Sequence, residues 1–293
     1  MSCSKKTKNG ELLELIAWGR AELSRAGIEE AQEECERILI KFLKCSRSEI
    51  YLKEHELGVS GVRERFLKLI EKRVQRIPLA YLLKETDFWQ ETLLVDERCL
   101  IPRPETEILV EQVLKALGEK AGQSFSFLDI GTGSGAIAIA LLRVCKNARG
   151  TLLDMSGEAL EVAGENLKRY GLQDRAKLIR GDLFVPFPGN ETWDLIVSNP
   201  PYLSEADWKD VQVELKFEPR GALDGGKDGL DFYRKVVTQA RAHLAPEGRL
   251  VLELGRGQAD MVSKWLQTAG YDNIQRFNDH LRVQRVLMAQ RHS

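Results

Sequence analysis

A glycine-rich turn constrains this chain more than any other feature of its 293 residues. Residues 128–136 read Leu-Asp-Ile-Gly-Thr-Gly-Ser-Gly-Ala, between an apolar run that predicts a strand and one that predicts a helix. Glycine permits a tight turn and lets a ligand approach the backbone, while the start of the helix offers N–H donors. The segment favours a nucleotide-type ligand, although a strand–helix turn that only needs positive φ angles would also use glycine.

The residues after 103 alternate between predicted strands and helices, which is typical of a doubly wound α/β domain with a parallel sheet. Two final strands follow each other without a helix, so we expect them to form an antiparallel pair. Ser156 is the expected N-cap of one helix. The predicted strands are 125–130, 150–153, 177–179, 195–197, 249–254, 273–277 and 283–288, and the predicted helices are 134–145, 156–170, 230–244 and 260–269.

The first 77 residues show helical spacing of leucine, isoleucine and phenylalanine, which predicts a small helical bundle. β-formers between 86 and 95 predict a short hairpin within a linker at 78–103, and Pro104 suits the first turn of the next helix. Residues 1–84 carry 17 basic and 13 acidic side chains, so this part is mildly positive.

The composition excludes several classes of protein. A net charge of −1 weakens the case for a protein that clamps a phosphate backbone. No apolar run approaches the length of a membrane span, so we expect a cytoplasmic protein. The cysteines are scattered without a C-x-x-C pair, which argues against a disulfide scaffold or a metal site; they are Cys3, Cys35, Cys45, Cys99 and Cys145.

Acidic residues stand at the ends of three successive predicted strands. Asp129 would repel a pyrophosphate but suits S-adenosylmethionine, which carries an ammonium and a sulfonium. Asp154 can accept hydrogen bonds from ribose hydroxyls, and Asp182 can accept one from an adenine amine. Each could instead cap a backbone group, although three in succession favour a ligand site.

A second loop, Asn199-Pro200-Pro201-Tyr202, follows the predicted strand at 195–197. The prolines stiffen it and leave carbonyl acceptors. The Asn199 amide oxygen and the Pro200 carbonyl could hold both hydrogens of a planar NH2 group, with Tyr202 against its face. Two such acceptors would localise the nitrogen lone pair and stabilise the charge that develops on nitrogen during methyl transfer.

With these residues, the chain resembles class I S-adenosylmethionine-dependent methyltransferases, and more closely the HemK/PrmC family, the protein-(glutamine-N5) methyltransferases of peptide chain release factors. The segments that carry the resemblance are 101–107 (Ile-Pro-Arg-Pro-Glu-Thr-Glu), 129–135, 198–202, 217–223 (Phe-Glu-Pro-Arg-Gly-Ala-Leu) and 229–233 (Gly-Leu-Asp-Phe-Tyr).

The resemblance implies an α/β fold, a Rossmann-like seven-stranded sheet with a small N-terminal helical-bundle domain. It implies methyl transfer to the glutamine of the Gly-Gly-Gln tip of class-1 release factors by a monomer. The domains would be 1–77 for release-factor recognition, the linker at 78–103, and 104–293 for methyl transfer. Leu183 stands where some members carry Trp. The cofactor residues would be Asp129, Gly131, Thr132, Gly133, Ser134, Gly135, Asp154, Asp182, Leu183 and Asn199; the substrate residues Asn199, Pro200, Pro201 and Tyr202; and the catalytic residues Asn199, Pro200 and Tyr202.

Three alternatives stay open. A nucleic-acid adenine-N6 or guanine-N2 methyltransferase would use the same Asn-Pro-Pro-Tyr loop, but the net charge and the lack of an added target-recognition domain disfavour it. A nicotinamide-dependent oxidoreductase would use the glycine turn, because Gly131-x-Gly133-x-x-Ala136 also fits a dinucleotide. A non-enzymatic adaptor is disfavoured because all the chemistry-bearing positions are intact.

Overall fold

The computed structural model describes residues 11–52, 61–189 and 191–292, so Cys3 lies outside the described residues. The chain divides into two compact units, residues 1–83 and 84–293. Among the described helices, none combines the length and the apolar character that crossing a membrane requires.

The first unit is helical, as predicted. Its helices bury their apolar stripes in a shared core that includes Leu12, Ile38 and Phe66. A bidentate ion pair joins two of them: Arg73 donates to Glu34 over 2.8 and 3.1 Å, and both side chains are buried. The helices are α1 (Glu11–Arg25), α2 (Ala31–Leu43), α3 (Arg47–Leu52), α4 (Val62–Val74) and α5 (Leu79–Leu83).

The second unit begins with an antiparallel hairpin and a helix that starts at a proline. The hairpin pairs β1 (Glu85–Phe88) with β2 (Glu91–Leu94). Pro104 occupies the first turn of α6 (Pro104–Leu117), where its missing N–H costs no helical hydrogen bond. Both features agree with the sequence analysis.

A seven-stranded sheet forms the centre of the second unit. Its strand order is β5-β4-β3-β6-β7-β9-β8, parallel from β5 to β7, with antiparallel pairing of β7 with β9 and of β9 with β8. The expected antiparallel terminal pair is therefore confirmed. The strands are β3 (Ser126–Ile130), β4 (Arg149–Asp154), β5 (Ala176–Arg180), β6 (Trp193–Ser198), β7 (Leu244–Glu253), β8 (Tyr271–Asn278) and β9 (Gln284–Arg291).

Helices cover both faces of the sheet. Alternate residues of each strand enter separate cores, as Leu195 and Ile196 of β6 show. The core around Leu195 includes residues of α6, α7 (Ala136–Val144) and α8 (Gly157–Arg169). The core around Ile196 includes residues of α9 (Asp231–Ala240) and α10 (Ala259–Thr268). The result is the doubly wound α/β architecture that the sequence predicts.

Predicted element ends differ from the structure by up to three residues, except at the junction of one helix and the next strand, where the error is four to five residues. The helix expected over 230–244 ends at Ala240 and is followed by a 3-10 turn at 241–243. The strand expected from Arg249 already begins at Leu244, which pairs with Trp193 ahead of a register shift. The positive φ of Glu247 interrupts this ladder, and the Pro-Glu-Gly sequence there looks like a loop.

Candidate active site

One edge of the sheet collects the predicted site residues. Strands β5, β4, β3, β6 and β7 are neighbours in that order and parallel, so their carboxyl ends lie side by side. Asp182 follows β5, Asp154 ends β4, Asp129 lies near the end of β3, and Asn199 follows β6. This edge is where open α/β sheets bind their ligands.

The three glycines of the turn all have positive φ: 72° at Gly131, 56° at Gly133 and 83° at Gly135. A β-carbon on Gly131 or Gly133 would meet no atom within 4 Å, whereas one on Gly135 would lie 3.3 Å from Ile139 and 3.4 Å from Ala163. Gly135 therefore allows close packing of helices, while Gly131 and Gly133 leave open space beside the backbone.

The turn uses most of its N–H groups inside the protein. Gly131 and Thr132 donate to the carbonyl of Leu153 over 2.8 and 3.0 Å, and Gly135 donates to Thr132. Gly133 donates to the Asp154 carboxylate over 2.9 Å. These four N–H groups fix the shape of the turn itself, so here the glycines supply space.

Ser134 is buried, and its carbonyl accepts a hydrogen bond from Asn166 over 3.0 Å. The same Asn166 amide accepts from the backbone of Leu94 and donates to its carbonyl. Asn166 thus ties the glycine turn to α8 and to the hairpin. Sequence reasoning missed it because its partners lie far away in the chain.

Asp129 is fully buried and only half satisfied. One carboxylate oxygen accepts from the Thr132 hydroxyl over 2.7 Å, and the other has no hydrogen-bond partner among the described residues. Burial raises the pKa of Asp129 to about 7, with the neighbouring Asp154 acting in the same direction. A cation placed nearby would favour its ionised form.

Asp154 stabilises the glycine turn and can also accept hydrogen bonds from a ligand. Its two oxygens accept from the N–H groups of Gly133 and Ser156, and burial raises its pKa. Each oxygen keeps one lone pair for a further donor. Ser156 is the N-cap of α8, accepting from Ala159, as predicted. Asp182 is exposed, whereas Leu183 is buried in the core that includes Ile130.

The Asn199-Pro200-Pro201-Tyr202 loop is held firmly at both ends. Asn199 donates from Nδ2 to the Thr106 hydroxyl over 3.0 Å, so its amide oxygen points away from α6. At the other end, Gln258 donates to the carbonyls of Tyr202 and Gly229 over 3.1 and 3.0 Å. Pro200 is buried, and Pro201 and Tyr202 are partly buried.

Gly229 allows this second attachment. Its φ is 76°, and a β-carbon there would lie only 2.4 Å from the Tyr202 carbonyl oxygen. Burial and the nearby Glu253 raise the pKa of Tyr202 to about 12, so its phenol stays protonated at neutral pH. Tyr202 therefore offers an uncharged ring beside the loop.

Two further segments that carry the family resemblance, 101–107 and 217–223, contact each other. Glu218, from 217–223, accepts a hydrogen bond from the Ile101 N–H over 3.0 Å and forms an ion pair with Arg103, both from 101–107. The Glu218 side chain is 1% exposed. This contact ties the chain after the Asn-Pro-Pro-Tyr loop to the start of α6, which provides Thr106.

Comparison with known proteins decides the family. A PrmC N-terminal domain model matches residues 14–83, and a methyltransferase small domain model matches residues 104–218. The chain is 37% identical to a release factor glutamine methyltransferase of Geobacter sulfurreducens, over 92% of each chain, and 33% identical to one of Rhodopirellula baltica, over 96% of each. The chain belongs to the release factor glutamine methyltransferase family.

A solved structure agrees with the fold of this family member. A methyltransferase from Pyrococcus furiosus matches 69% of this chain and 89% of its own, with a TM-score of 0.51 and 19% identity. At that identity the match concerns the fold alone, and it supports the class I methyltransferase architecture.

Sequence reasoning missed one acidic residue at the same edge of this family fold. Glu253 ends β7 and is fully buried, and neither of its carboxylate oxygens has a hydrogen-bond partner in the described part of the chain. Burial raises its pKa to about 7, against the opposing effects of Thr106 and Arg285. The rule that found Asp129 and Asp154, an acid at the end of a buried strand, also applies to Glu253.

Proposed function

We propose that this protein transfers a methyl group from S-adenosylmethionine to the side-chain amide nitrogen, N5, of the glutamine in the Gly-Gly-Gln tip of class-1 peptide chain release factors. The observation that carries the proposal is the hydrogen bond from Asn199 to Thr106. It leaves the Asn199 amide oxygen available as an acceptor beside the Pro200 carbonyl. The relatives' shared name supports the choice of release factors as substrates.

The residues at the edge of the sheet fit the cofactor. The open space at Gly131 and Gly133 admits a ligand, and the unpartnered oxygen of Asp129 suits a cation. S-adenosylmethionine, when bound, supplies an electrophilic methyl group on a sulfonium. We assign its methionine end to Asp129 and the turn, its ribose to Asp154, and its adenine to Asp182 and Leu183. Thr132, Ser134 and Asn199 complete the proposed cofactor residues.

The loop after β6 would hold the substrate. The Asn199 amide oxygen and the Pro200 carbonyl accept the two hydrogens of the glutamine amide, and Tyr202 packs against its face with Pro201 stiffening the loop. Two acceptors on one nitrogen localise its lone pair and stabilise the positive charge that develops there. The protein's contribution is orientation and electrostatics, because preorganised groups need no rearrangement during the reaction.

The helical unit would select the protein partner. Its mild positive charge and its match to the PrmC N-terminal domain support this assignment. We assign release-factor recognition to residues 1–77, a linker with the hairpin to 78–103 and methyl transfer to 104–293. The cytoplasmic location and the monomeric state stay predictions.

Mass spectrometry tests the proposed function. A release factor incubated with the enzyme and S-adenosylmethionine should gain one methyl group on the glutamine of its Gly-Gly-Gln peptide. Parallel reactions with RNA and DNA test the alternative of nucleic-acid amino methylation. Methyl incorporation into nucleic acid, with an unmodified release factor, would overturn the proposal in favour of that alternative.

A further inference from the structure

Glu253 lies beside the proposed substrate loop without an evident structural purpose. Ser198 of β6 is in register with Leu252 of β7, so Asn199 and Glu253 are the next residues on neighbouring strands. The Glu253 side chain is fully buried, and neither of its oxygens has a hydrogen-bond partner within the described ranges. A buried carboxylate without a hydrogen-bond partner lowers the stability of the folded protein. Stability therefore does not explain the presence of Glu253.

Thr106 connects Glu253 to Asn199. Its hydroxyl accepts the Asn199 Nδ2 hydrogen over 3.0 Å, and its side chain is buried. A hydroxyl has one hydrogen to donate as well as lone pairs to accept with. Thr106 lowers the pKa of Glu253, as a hydroxyl that can donate to the carboxylate does, although no hydrogen bond between the two side chains is formed in the structure.

We propose that Glu253 is a positioning residue that determines, through Thr106, which end of the Asn199 amide faces the substrate. The inference rests on the proposed function, in which the Asn199 oxygen holds the substrate amide. An ionised carboxylate can only accept, so once the two side chains close to hydrogen-bond distance, Thr106 donates to Glu253 and accepts from Asn199 Nδ2. The Asn199 oxygen is then left free for the NH2 group of the substrate.

Protonation of Glu253 removes this constraint. A neutral carboxyl group can donate to Thr106, whose own hydrogen then goes to the Asn199 oxygen. In that arrangement the amide is turned over, and its NH2 group faces the NH2 group of the substrate, so two donors oppose each other. Only the ionised form of Glu253 excludes this orientation.

Burial and the charges around Glu253 place its protonation near neutral pH. Burial raises its pKa to about 7, and Glu105 acts in the same direction. Thr106, Arg285 and Arg103 oppose the rise. The two buried phenols near the carboxylate, Tyr202 and Tyr233, have raised pKa values and stay neutral throughout the range.

The test compares kcat for release-factor methylation between pH 5.5 and 8.5 in variants of the relay. Wild-type kcat should fall as the pH drops below 7, because the fraction of enzyme with ionised Glu253 falls. Thr106→Val and Glu253→Gln should lower kcat at pH 8 about tenfold, the effect of one hydrogen bond, and flatten the profile. Thr106→Ser should recover most of what Thr106→Val loses, and KM should change little. Thr238→Val, which removes an exposed hydroxyl on α9, is the matched control.

A second measurement follows the wild-type protein and does not depend on the Thr106 and Glu253 variants. The side-chain amide resonances of Asn199, assigned by their loss in Asn199→Ala, should shift between pH 5.5 and 8.5 with a midpoint near 7. Resonances that stay constant would overturn the inference, as would a wild-type rate and pH profile in Thr106→Val. A wild-type enzyme that leaves the release factor unmethylated at every pH overturns the proposed function, and the inference with it.

Discussion

The Ser198 hydroxyl donates a hydrogen bond to the carbonyl oxygen of Ile130 over 2.6 Å, and both residues are buried. Ile130 directly precedes the glycine turn, and Ser198 directly precedes Asn199. This bond therefore fixes the proposed substrate loop relative to the proposed cofactor turn at the point where the two segments leave the sheet. Holding two segments in a fixed relative position is the kind of orientation that lowers the barrier to a transfer between two bound groups.

Asn199→Ala should lower kcat for release-factor methylation by about 10²–10³, the cost of removing one preorganised group at a reaction centre. Because Asn199 is only partly buried, thermal stability should change little. Asn147→Ala, which removes an exposed asparagine side chain, is the control and should keep the wild-type rate. A wild-type kcat in Asn199→Ala would refute the assigned role.

Cofactor binding should release a proton at pH 6. The pKa of Asp129 is raised to about 7, so Asp129 is neutral below pH 7 and a bound cation favours its ionised form. Affinity should rise about tenfold per pH unit as pH approaches 7 from below. Calorimetry in buffers of different ionisation enthalpy measures the proton.

Asp129→Asn should remove that dependence and weaken binding about 10- to 100-fold, as expected for a charged hydrogen bond. The ammonium of the cofactor titrates identically in both proteins, so the comparison isolates Asp129. Asp174→Asn, at an exposed turn, is the control. Equal proton release by wild type and Asp129→Asn would contradict the assignment.

Glu253→Gln should stabilise the cofactor-free protein at pH 8. The pKa of Glu253 rises from 4.5 to about 7 on folding, so the folded state binds more protons than the unfolded state between those values. The contribution of Glu253 to stability is therefore present below pH 4.5 and lost as pH rises to 7, by up to about 3 kcal/mol.

Denaturant unfolding at pH 5 and 8 measures this effect. The stability gained by Glu253→Gln over wild type should be larger at pH 8 than at pH 5. Glu119→Gln, at an exposed site, should show no such difference. An equal gain at both pH values would show that the carboxylate is not buried as described.

Glu34→Ala should destabilise the helical unit by about 1.5–3 kcal/mol, because it removes a buried carboxylate that accepts two hydrogen bonds from Arg73. The exposed pair of Glu64 and Lys68 provides the comparison, since Glu64→Ala removes an ion pair that solvent screens and that contributes little to stability. Urea unfolding followed by helical circular dichroism measures both. Similar costs for the two variants would contradict the buried geometry.

Charge reversal on the helical unit should weaken binding of the release factor. Arg37, Arg63 and Lys72 are exposed, and their replacement by Glu should raise KM for the release factor while kcat changes little. The effect should shrink as salt is added, because exposed charges are screened. An unchanged KM at low salt would refute the role of this positive charge in binding the release factor.

Local sequence signals predicted the architecture because each acts over a few residues. The glycines of the turn, Ser156 at its helix cap and Pro104 at its helix start all occupy the predicted conformations. The start of β7 was missed because Leu244 becomes a strand residue only through pairing with Trp193. That pairing depends on two distant segments.

In the candidate site too, contacts between distant segments could not be predicted from local sequence. Asn199 stands out in the sequence, but its partner Thr106 lies 93 residues away, and only the fold brings the two together. Glu253 looks like an ordinary acid at the end of a strand until β6, β7 and α6 enclose it. The roles of Asn166 and Gln258 likewise arise from contacts between segments that are far apart in the chain.

The pairing of β7 with β9 sets the order in which this site can be completed during synthesis. Glu253 lies opposite Val286, so one side of its strand is supplied by residues translated more than thirty positions later. While the residues of β9 are still inside the ribosome, that side of β7 is exposed to water. The backbone pairing that holds Glu253 between β6 and β9 is thus complete only when the last strand of the sheet inserts between β7 and β8.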